Sequence, residues 1–396
     1  MDQPTSAAAA LVCTAWYLRA MRSLYRIVEI SSRTSFDMLF KQCRASPRVK
    51  RWLTTTHELV ADDNELIYQE NQKGHPFLQA LPIALVHAVP SVRTLRITGG
   101  NLRFMQPTFF LGLSRFKDVT SLFLRECKLN NVEQLRHIIC AFPKLTELSI
   151  TRIDLTQRLR GPACYVGATL VQSPSLRRLQ IDVGSDSMVA FIDWMMHSGY
   201  FTSLEELRPW LPCKVEHLME NLSKVLETAG ASLTLYHEWC TGPEVEPDPD
   251  GGDDHGNLSQ NTALRSLEFT LNDICPEYGD RSLEPWVKLV DELYGVLSTV
   301  RSHELEYIGI KSSLGFYDHD YKELDTVLEE VDLGVLHEVM AWPYFDMLKD
   351  VKIKMGLLGV LDDSKVDDIG RRLAPVYRGL LRPWADRGIV SVTRWI

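Results

Sequence analysis

A short apolar frame, L-x-x-L-x-[LI], returns along most of this 396-residue chain, usually behind an aromatic-Pro or Ser-Pro pair and ahead of a helix-like stretch. It reads most clearly as Val119-x-x-Leu122-x-Leu124, Leu145-x-x-Leu148-x-Ile150, Leu176-x-x-Leu179-x-Ile181 and Leu264-x-x-Leu267-x-Phe269. Val92-x-x-Leu95-x-Ile97 precedes these, and Leu305-x-x-Ile308-x-Ile310 and Leu348-x-x-Val351-x-Ile353 follow. A fixed period of this size constrains the fold more than any local propensity, because each repeat can bury its apolar face only against its neighbours.

The first frame positions at 92, 119, 145, 176 and 204 step by 27, 26, 31 and 28 residues, enough for one strand and one helix. Strand side chains alternate between faces, so the three frame positions point inward while residues such as Glu147 and Ser149 point out, where a partner can touch them. The segments between carry helical spacing. In Val132 to Ile139 the apolar residues recur three to four apart, with Asn130 or Asn131 placed to cap and Phe142-Pro143 to stop. Val215 to Thr228, Glu284 to Val300, Leu324 to Met340 and Asp367 to Leu381 read the same way. The pattern resembles a leucine-rich-repeat solenoid. The expected class is α/β, with one short strand plus one helix per repeat on a curved parallel sheet. A chain of this length exceeds the roughly 250–300 residues over which one compact core grows, and stacking accommodates it.

The pattern weakens in particular places. Leu204-x-x-Leu207-x-Pro209 puts Pro in the third frame slot, which predicts a truncated or edge-like strand. Gly230-x-x-Leu233-x-Leu235 is read as the restart of the frame. Later steps of 41 and 43 residues predict longer helices, and a short strand near Ile389 to Val392 should close the array. Residues 244–258 begin E-V-E-P-D-P-D-G-G-D-D-H, acidic, rich in Pro and Gly and without apolar period, so a disordered, solvated loop is expected. Counted from Asp248, its sixth position is Asp253 and its twelfth Ser259, which fails as a calcium loop.

Composition and motifs narrow the function. With 43 basic and 52 acidic residues the net charge is −9, the opposite of a nucleic-acid footprint, so no nucleic-acid partner is expected. No run approaches a membrane span, and the apolar stretch Ala7 to Leu18 lacks the basic flank of a secretory leader. No membrane partner is expected. Eight scattered cysteines without a C-x-x-C pair predict free thiols in a reducing, cytoplasmic or nuclear setting. Phosphate-loop, dinucleotide, nucleophile-elbow and zincin motifs are all absent, so no catalytic residue, cofactor or metal is expected. His237-Glu238-Trp239-Cys240 and Asp318-His319-Asp320 hold chemistry-bearing side chains, but nothing in their spacing supplies a base and an orienting group. Trp194, Trp210, Trp239, Trp286, Trp342 and Trp384 divide between core and partner-facing positions in a way the sequence does not sort.

Ahead of the repeats, Val12-Cys13-Thr14-Ala15-Trp16 and Leu24-Tyr25 resemble the V-C-x-x-W and L-[YF] of the second half of an F-box, with Leu11, Val12, Ala15 and Trp16 on one helical face. The whole chain resembles the F-box/leucine-rich-repeat proteins of fungi, with phrases such as Phe142 to Ile150 and Ala263 to Phe269. The L-P-x-E-[LIV] opening of an F-box has no counterpart in these residues, so the resemblance is to a truncated F-box or to one whose opening lies upstream of Met1. It implies a partial F-box-like helical segment over 1–45, a repeat array over 46–396, and a non-catalytic substrate receptor of an SCF-type ubiquitin ligase. Leu11, Val12, Cys13, Trp16 and Leu24 would meet the Skp-type adaptor of the cullin ligase, and the repeats would hold a protein substrate. Two alternatives stand beside this: an interaction scaffold that has lost adaptor binding, and an amino-terminal cap in which Val12, Cys13 and Trp16 pack on the first repeat.

Overall fold

The computed structural model describes residues 3–63, 77–155, 175–182, 186–212, 216–241, 255–271, 284–315, 327–358 and 363–394. The chain forms two compact units, Met1–Tyr200 and Phe201–Ile396. Each is an α/β leucine-rich-repeat solenoid, in which short parallel strands form a sheet and the intervening segments supply helices.

In the first unit the strands are β1 (Ile27–Ile30), β2 (Glu58–Asp62), β3 (Thr94–Thr98), β4 (Ser121–Arg125), β5 (Lys128–Leu129), β6 (Glu147–Thr151), β7 (Asp154–Leu155) and β8 (Arg178–Asp182). β1, β2, β3, β4, β6 and β8 pair in that order, all parallel. Their register stacks the frame into columns. Leu59, Leu95, Leu122, Leu148 and Leu179 form one, and Ala61, Ile97, Leu124, Ile150 and Ile181 the next, every member buried. Fully burying a Leu or Ile contributes about 1.5–3 kcal/mol by area, so the columns tie each repeat to its neighbours.

Behind each strand the chain turns at one equivalent residue. Gly99, Glu126 and Arg152 all have φ between 52° and 69°, and the short strands β5 and β7 pair just beyond the last two turns. Gly is at ease in this left-handed region, and the two non-glycine residues hold it through bonds to the next repeat: Glu126 N–H to Thr151 O (3.0 Å) and Arg152 N–H to the Asp182 carboxylate (3.2 Å). The helix Val132–Cys140 forms where expected, its N-terminus capped by the Asn131 side chain accepting from Gln134 N–H at 3.1 Å.

The first unit also departs from the sequence reading. Within 1–45, Ile27–Ile30 is strand and not helix; its β-branched run pairs with β2. Two early repeats were hidden because their frames, Tyr25-x-x-Val28-x-Ile30 and Thr56-x-x-Leu59-x-Ala61, carry Tyr, Thr and Ala in place of Leu. The Thr56 hydroxyl takes a core slot by donating to Tyr25 O at 2.8 Å.

In the second unit the strands are β9 (Glu206–Pro212), β10 (Leu235–His237), β11 (Trp239–Thr241), β12 (Ser266–Thr270), β13 (Tyr307–Gly315), β14 (Asp350–Leu358) and β15 (Val390–Arg394). β9, β10, β12, β13, β14 and β15 pair in parallel order, and β11 also pairs with β9. The lengthened repeats appear as nine-residue strands β13 and β14 beside helices of 16 and 18 residues, Glu284–Thr299 and Asp363–Leu380. The closing strand β15 falls where predicted. Leu324 to Met340 is not one helix. Val327–Glu330 and Gly334–Met340 are separated by a turn in which the Asp332 carboxylate accepts from Gly334 N–H at 2.9 Å.

The largest correction concerns the degenerate repeat. β9 is seven residues long and not truncated, because its partner strand is interrupted opposite Pro209: β10 pairs with Glu206 and Leu207, and β11 with Trp210 to Pro212. The missing N–H of Pro209 therefore faces a break in the ladder. The restarted frame is Leu233-x-x-Tyr236-x-Glu238, since Tyr236 stands in register with both Leu207 and Leu267. Glu238 thus occupies an inward slot that holds Phe269 in the next repeat.

Candidate functional site

An acid in a core slot must find partners, since an isolated buried charge is strongly unfavourable. Glu238 is buried. Its Oε2 accepts from the Tyr236 hydroxyl at 2.9 Å and its Oε1 lies 3.1 Å from His255 Nδ1. His255 Nε2 in turn lies 2.5 Å from Oε1 of Glu292, buried on the helix Glu284–Thr299. Ionised carboxylates only accept, so both ring nitrogens donate and the imidazole is an imidazolium between two acids. Burial alone would favour the neutral ring, but the charge and hydrogen bond of Glu238, joined by those of Glu292, raise its pKa well above 6.5. The Phe269 ring packs edge-on against it at 5.8 Å. The expectation that residues 244–258 form a solvated loop therefore fails from His255 onward: His255 is enclosed and Leu258 is in the core. Residues 244–254 lie outside the described residues.

Anchoring Glu238 inward turns His237 and Trp239 outward, because neighbouring residues on extended backbone face opposite sides. There they meet the outward side chains of adjacent strands. His237 Nε2 is 2.8 Å from Glu268 Oε2 and 3.0 Å from Lys311 Nζ. Lys311 Nζ also stands 3.5 Å above the centre of the Trp239 ring, a cation–π contact. The Trp239 ring stacks with His237 at 4.9 Å and with Trp210 at 6.0 Å, yet it remains 42% exposed. Lys354 Nζ approaches Glu268 at 4.0 Å.

Charge and burial divide this cluster. The His237 hydrogen bond holds the Glu268 carboxyl down at about 2 against its partial burial, helped by the charges of His237, Lys354 and Lys311. Burial lowers Lys311 to about 8, more than the attraction of Glu268 restores. Tyr307, in the row before, has its phenol raised by burial and by the Glu268 charge. Room for Glu268 to lean this way comes from Gly309: a Cβ there would stand 2.6 Å from Glu268 Cγ and 3.0 Å from the Tyr307 hydroxyl.

The six tryptophans named from sequence now sort. Trp194, Trp286 and Trp384 are core, Trp210 and Trp342 are half-buried, and Trp239 is exposed on the strand face. Of the motif His237 to Cys240, the structure joins His237 to Trp239 outside and takes Glu238 inside. Asp318-His319-Asp320 lies outside the described residues. The signal that could have found His255 and Glu292 was an acid in the third frame slot, visible once the frame is set on Tyr236.

The amino-terminal residues form a second exposed region. Helices Gln3–Val12 and Thr14–Leu24 meet at Cys13, whose extended backbone breaks the single helical face expected for Leu11, Val12, Ala15 and Trp16. Leu11 is 89%, Val12 74% and Trp16 52% exposed, Cys13 is an exposed free thiol, and Leu24 is half-buried. Trp16 joins Ala9, Ala15, Arg19, Ala20 and Ser23 around a cleft of about 510 Å³. Val12 and Cys13 therefore do not cap the first repeat. Cys43, Cys127 and Cys140 are also free thiols, and burial pushes Cys127 up to about 12. Among the described residues no helix is long and apolar enough to cross a membrane, and no group of three or more His, Cys, Asp or Glu is arranged to hold a metal.

No family model matches the chain, and no curated protein matches it. Among solved structures, the leucine-rich repeat-containing protein LegL7 from Legionella pneumophila aligns over 89% of this chain and 97% of its own, with 14% identity and a TM-score of 0.37. A protein from Bacteroides fragilis aligns over 70% of this chain and 72% of its own, with 13% identity and a TM-score of 0.38.

Proposed function

We propose that this chain is a non-catalytic protein-recognition scaffold that works as a substrate receptor of an SCF-type ubiquitin ligase. The observation that carries the recognition reading is the outward cluster of Trp210, His237, Trp239, Glu268 and Lys311, where an exposed indole is held by aromatic and cationic neighbours. Rigid tryptophans beside charged groups are the residues on which protein interfaces concentrate their binding energy. Catalysis belongs, in this reading, to the other ligase subunits. His255, buried between two acids, has both nitrogens occupied, which leaves it no free position to act as a base.

The receptor half of the proposal rests on the F-box resemblance and is supported by the exposure of Leu11, Val12, Cys13 and Trp16, which leaves the V-C-x-x-W residues open to a Skp-type adaptor. Pull-down with purified Skp-type adaptor tests it. Wild type should capture the adaptor, and Leu11→Asp or Trp16→Ala should weaken capture about tenfold or more, as losing a central apolar anchor does. A folded wild-type protein that captures nothing leaves the scaffold without adaptor binding as the function.

A further inference from the structure

We propose that the outward row formed by Trp210, Trp239, Lys311 and Lys354 in the second unit binds an acidic peptide segment, its carboxylates meeting the part-exposed Lys354 ammonium beside the buried Lys311 and its apolar side chains the exposed Trp239 indole. The inference rests on the recognition reading above and names the chemistry of the partner.

The sheet register sets out the rows. Tyr307 and Asp350 align at the start of β13 and β14; Glu268, Gly309 and Lys352 align in the next outward row; Thr270, Lys311 and Lys354 align in the third, with Trp239 beside Trp210. The third row contains no carboxylate. Among the described residues, Glu268 from the row before serves His237 at 2.8 Å and Lys354 at 4.0 Å. His237 Nε2 faces both Glu268 and Lys311, and a single ring nitrogen either donates to the first or accepts from the second. Among the described residues, one outward carboxylate therefore stands among three groups able to carry positive charge.

The balance at Lys311 points the same way. Burial costs its ammonium more than Glu268 and Glu238 return, so the amine titrates near 8. A carboxylate arriving beside Lys311 and Lys354 would supply the missing countercharge, and the indole next to them offers the flat apolar surface that a peptide side chain covers. The attraction is local. The chain as a whole carries −9, so a general affinity for polyanions such as nucleic acid is not its source.

Fluorescence anisotropy of the full chain tests the assignment with three labelled probes: a peptide of Asp, Glu and Leu, the same peptide with Lys for every acid, and an oligouridylate. The acidic peptide alone should bind, more weakly as salt rises. Trp239→Ala and Lys354→Glu should each weaken it about tenfold or more, whereas Arg96→Glu on the strand face of the first unit should leave it unchanged. Lys354 is partly exposed, so its variant keeps the test open if Trp239→Ala misfolds. Absence of binding, equal binding of the lysine peptide, preference for the oligouridylate, or binding indifferent to both variants would each overturn the proposal. Adaptor capture is measured on the same preparations. Protein that captures the adaptor but not the peptide overturns this inference alone, and protein that captures neither overturns the receptor reading with it.

Discussion

The strand faces of the two units are built from the same frame and differ in what they present. In the first unit the outward residues satisfy one another in short pairs across the ladder. Arg96 pairs with Glu58 at 2.5 Å and stacks over Phe123 at 3.7 Å, Ser121 donates to Glu147 at 2.7 Å, and Ser149 donates to Gln180 at 3.3 Å. In the second unit such pairs recur, as Arg208 with Glu206 and Lys352 with Asp350, but Glu268 is shared among several cations and the Trp239 indole is left open. The inward slots explain the difference. Where the first unit places Leu124, Ile150 and Ile181, the second places Pro209 and Glu238, and that pair of exceptions splits a strand and aims His237 and Trp239 at solvent. A frame that breaks its own apolar rule in one repeat has, on this account, made its site there.

The comparison breaks first at the buried acid. His255→Leu leaves Glu238 and Glu292 without their cation and should destabilise the second unit by about 3–5 kcal/mol in denaturant unfolding. Ile150→Val, in the first-unit slot that corresponds to that of Glu238, should cost only about 0.5–1.5 kcal/mol. Replacing Glu238, His255 and Glu292 together by apolar residues of similar volume should recover much of the loss, because no charge is then left unpaired. Equal losses for His255→Leu and Ile150→Val would remove the contrast.

The same triad gives the second unit a pH dependence. The folded pKa of His255 is raised, so the folded state holds a proton that the unfolded chain releases above pH 6.5. Its contribution is complete below that pH and declines as pH rises, by up to about 1.4 kcal/mol per pH unit while one proton is at stake. Lys311 acts in the opposite sense from about 8 upward, since its folded pKa is lowered and deprotonation relieves the burial of its charge. Melting temperature measured between pH 6.5 and 8 should therefore fall in wild type and flatten in His255→Leu.

A smaller effect sharpens the account of the outer face. Gly309→Ala should push Glu268 away from its position against Tyr307 and cost about 1–3 kcal/mol, read by chemical denaturation. Smallest is Arg96→Ala in the first unit. Its pair with Glu58 is partly exposed, so the loss should be about 0–1 kcal/mol and should shrink in high salt.

Much of this fold was legible because Leu and Ile at fixed spacing have one economical use, the buried side of a stacked strand. The frames from Val92 to Ile181, the helix at Val132 and the closing strand follow from that spacing. What stayed hidden were slots filled by other chemistry. Thr56 enters the core by bonding Tyr25 O, Ala61 fills a slot with little volume, and Tyr236 with Glu238 moved the frame by three residues from the position that Leu233 and Leu235 implied. His255 is 37 residues from Glu292 and sits at the end of a Pro-Gly-Asp run, so no local pattern announces it. The tryptophans were visible as letters but not as surfaces, because exposure depends on which face the backbone gives each one. The helix break at Cys13 was not legible either, because the apolar spacing of Leu11, Val12, Ala15 and Trp16 runs across it.

Site-specific photocrosslinking of the acidic peptide tests most directly whether recognition resides on the second strand face. p-Benzoylphenylalanine is placed at Trp239 in one protein and at Phe123, on the first unit's strand face, in another. The account predicts a covalent adduct from position 239 that excess unlabelled peptide suppresses, and none from position 123. An adduct from 123 alone, or equal adducts from both, would contradict it.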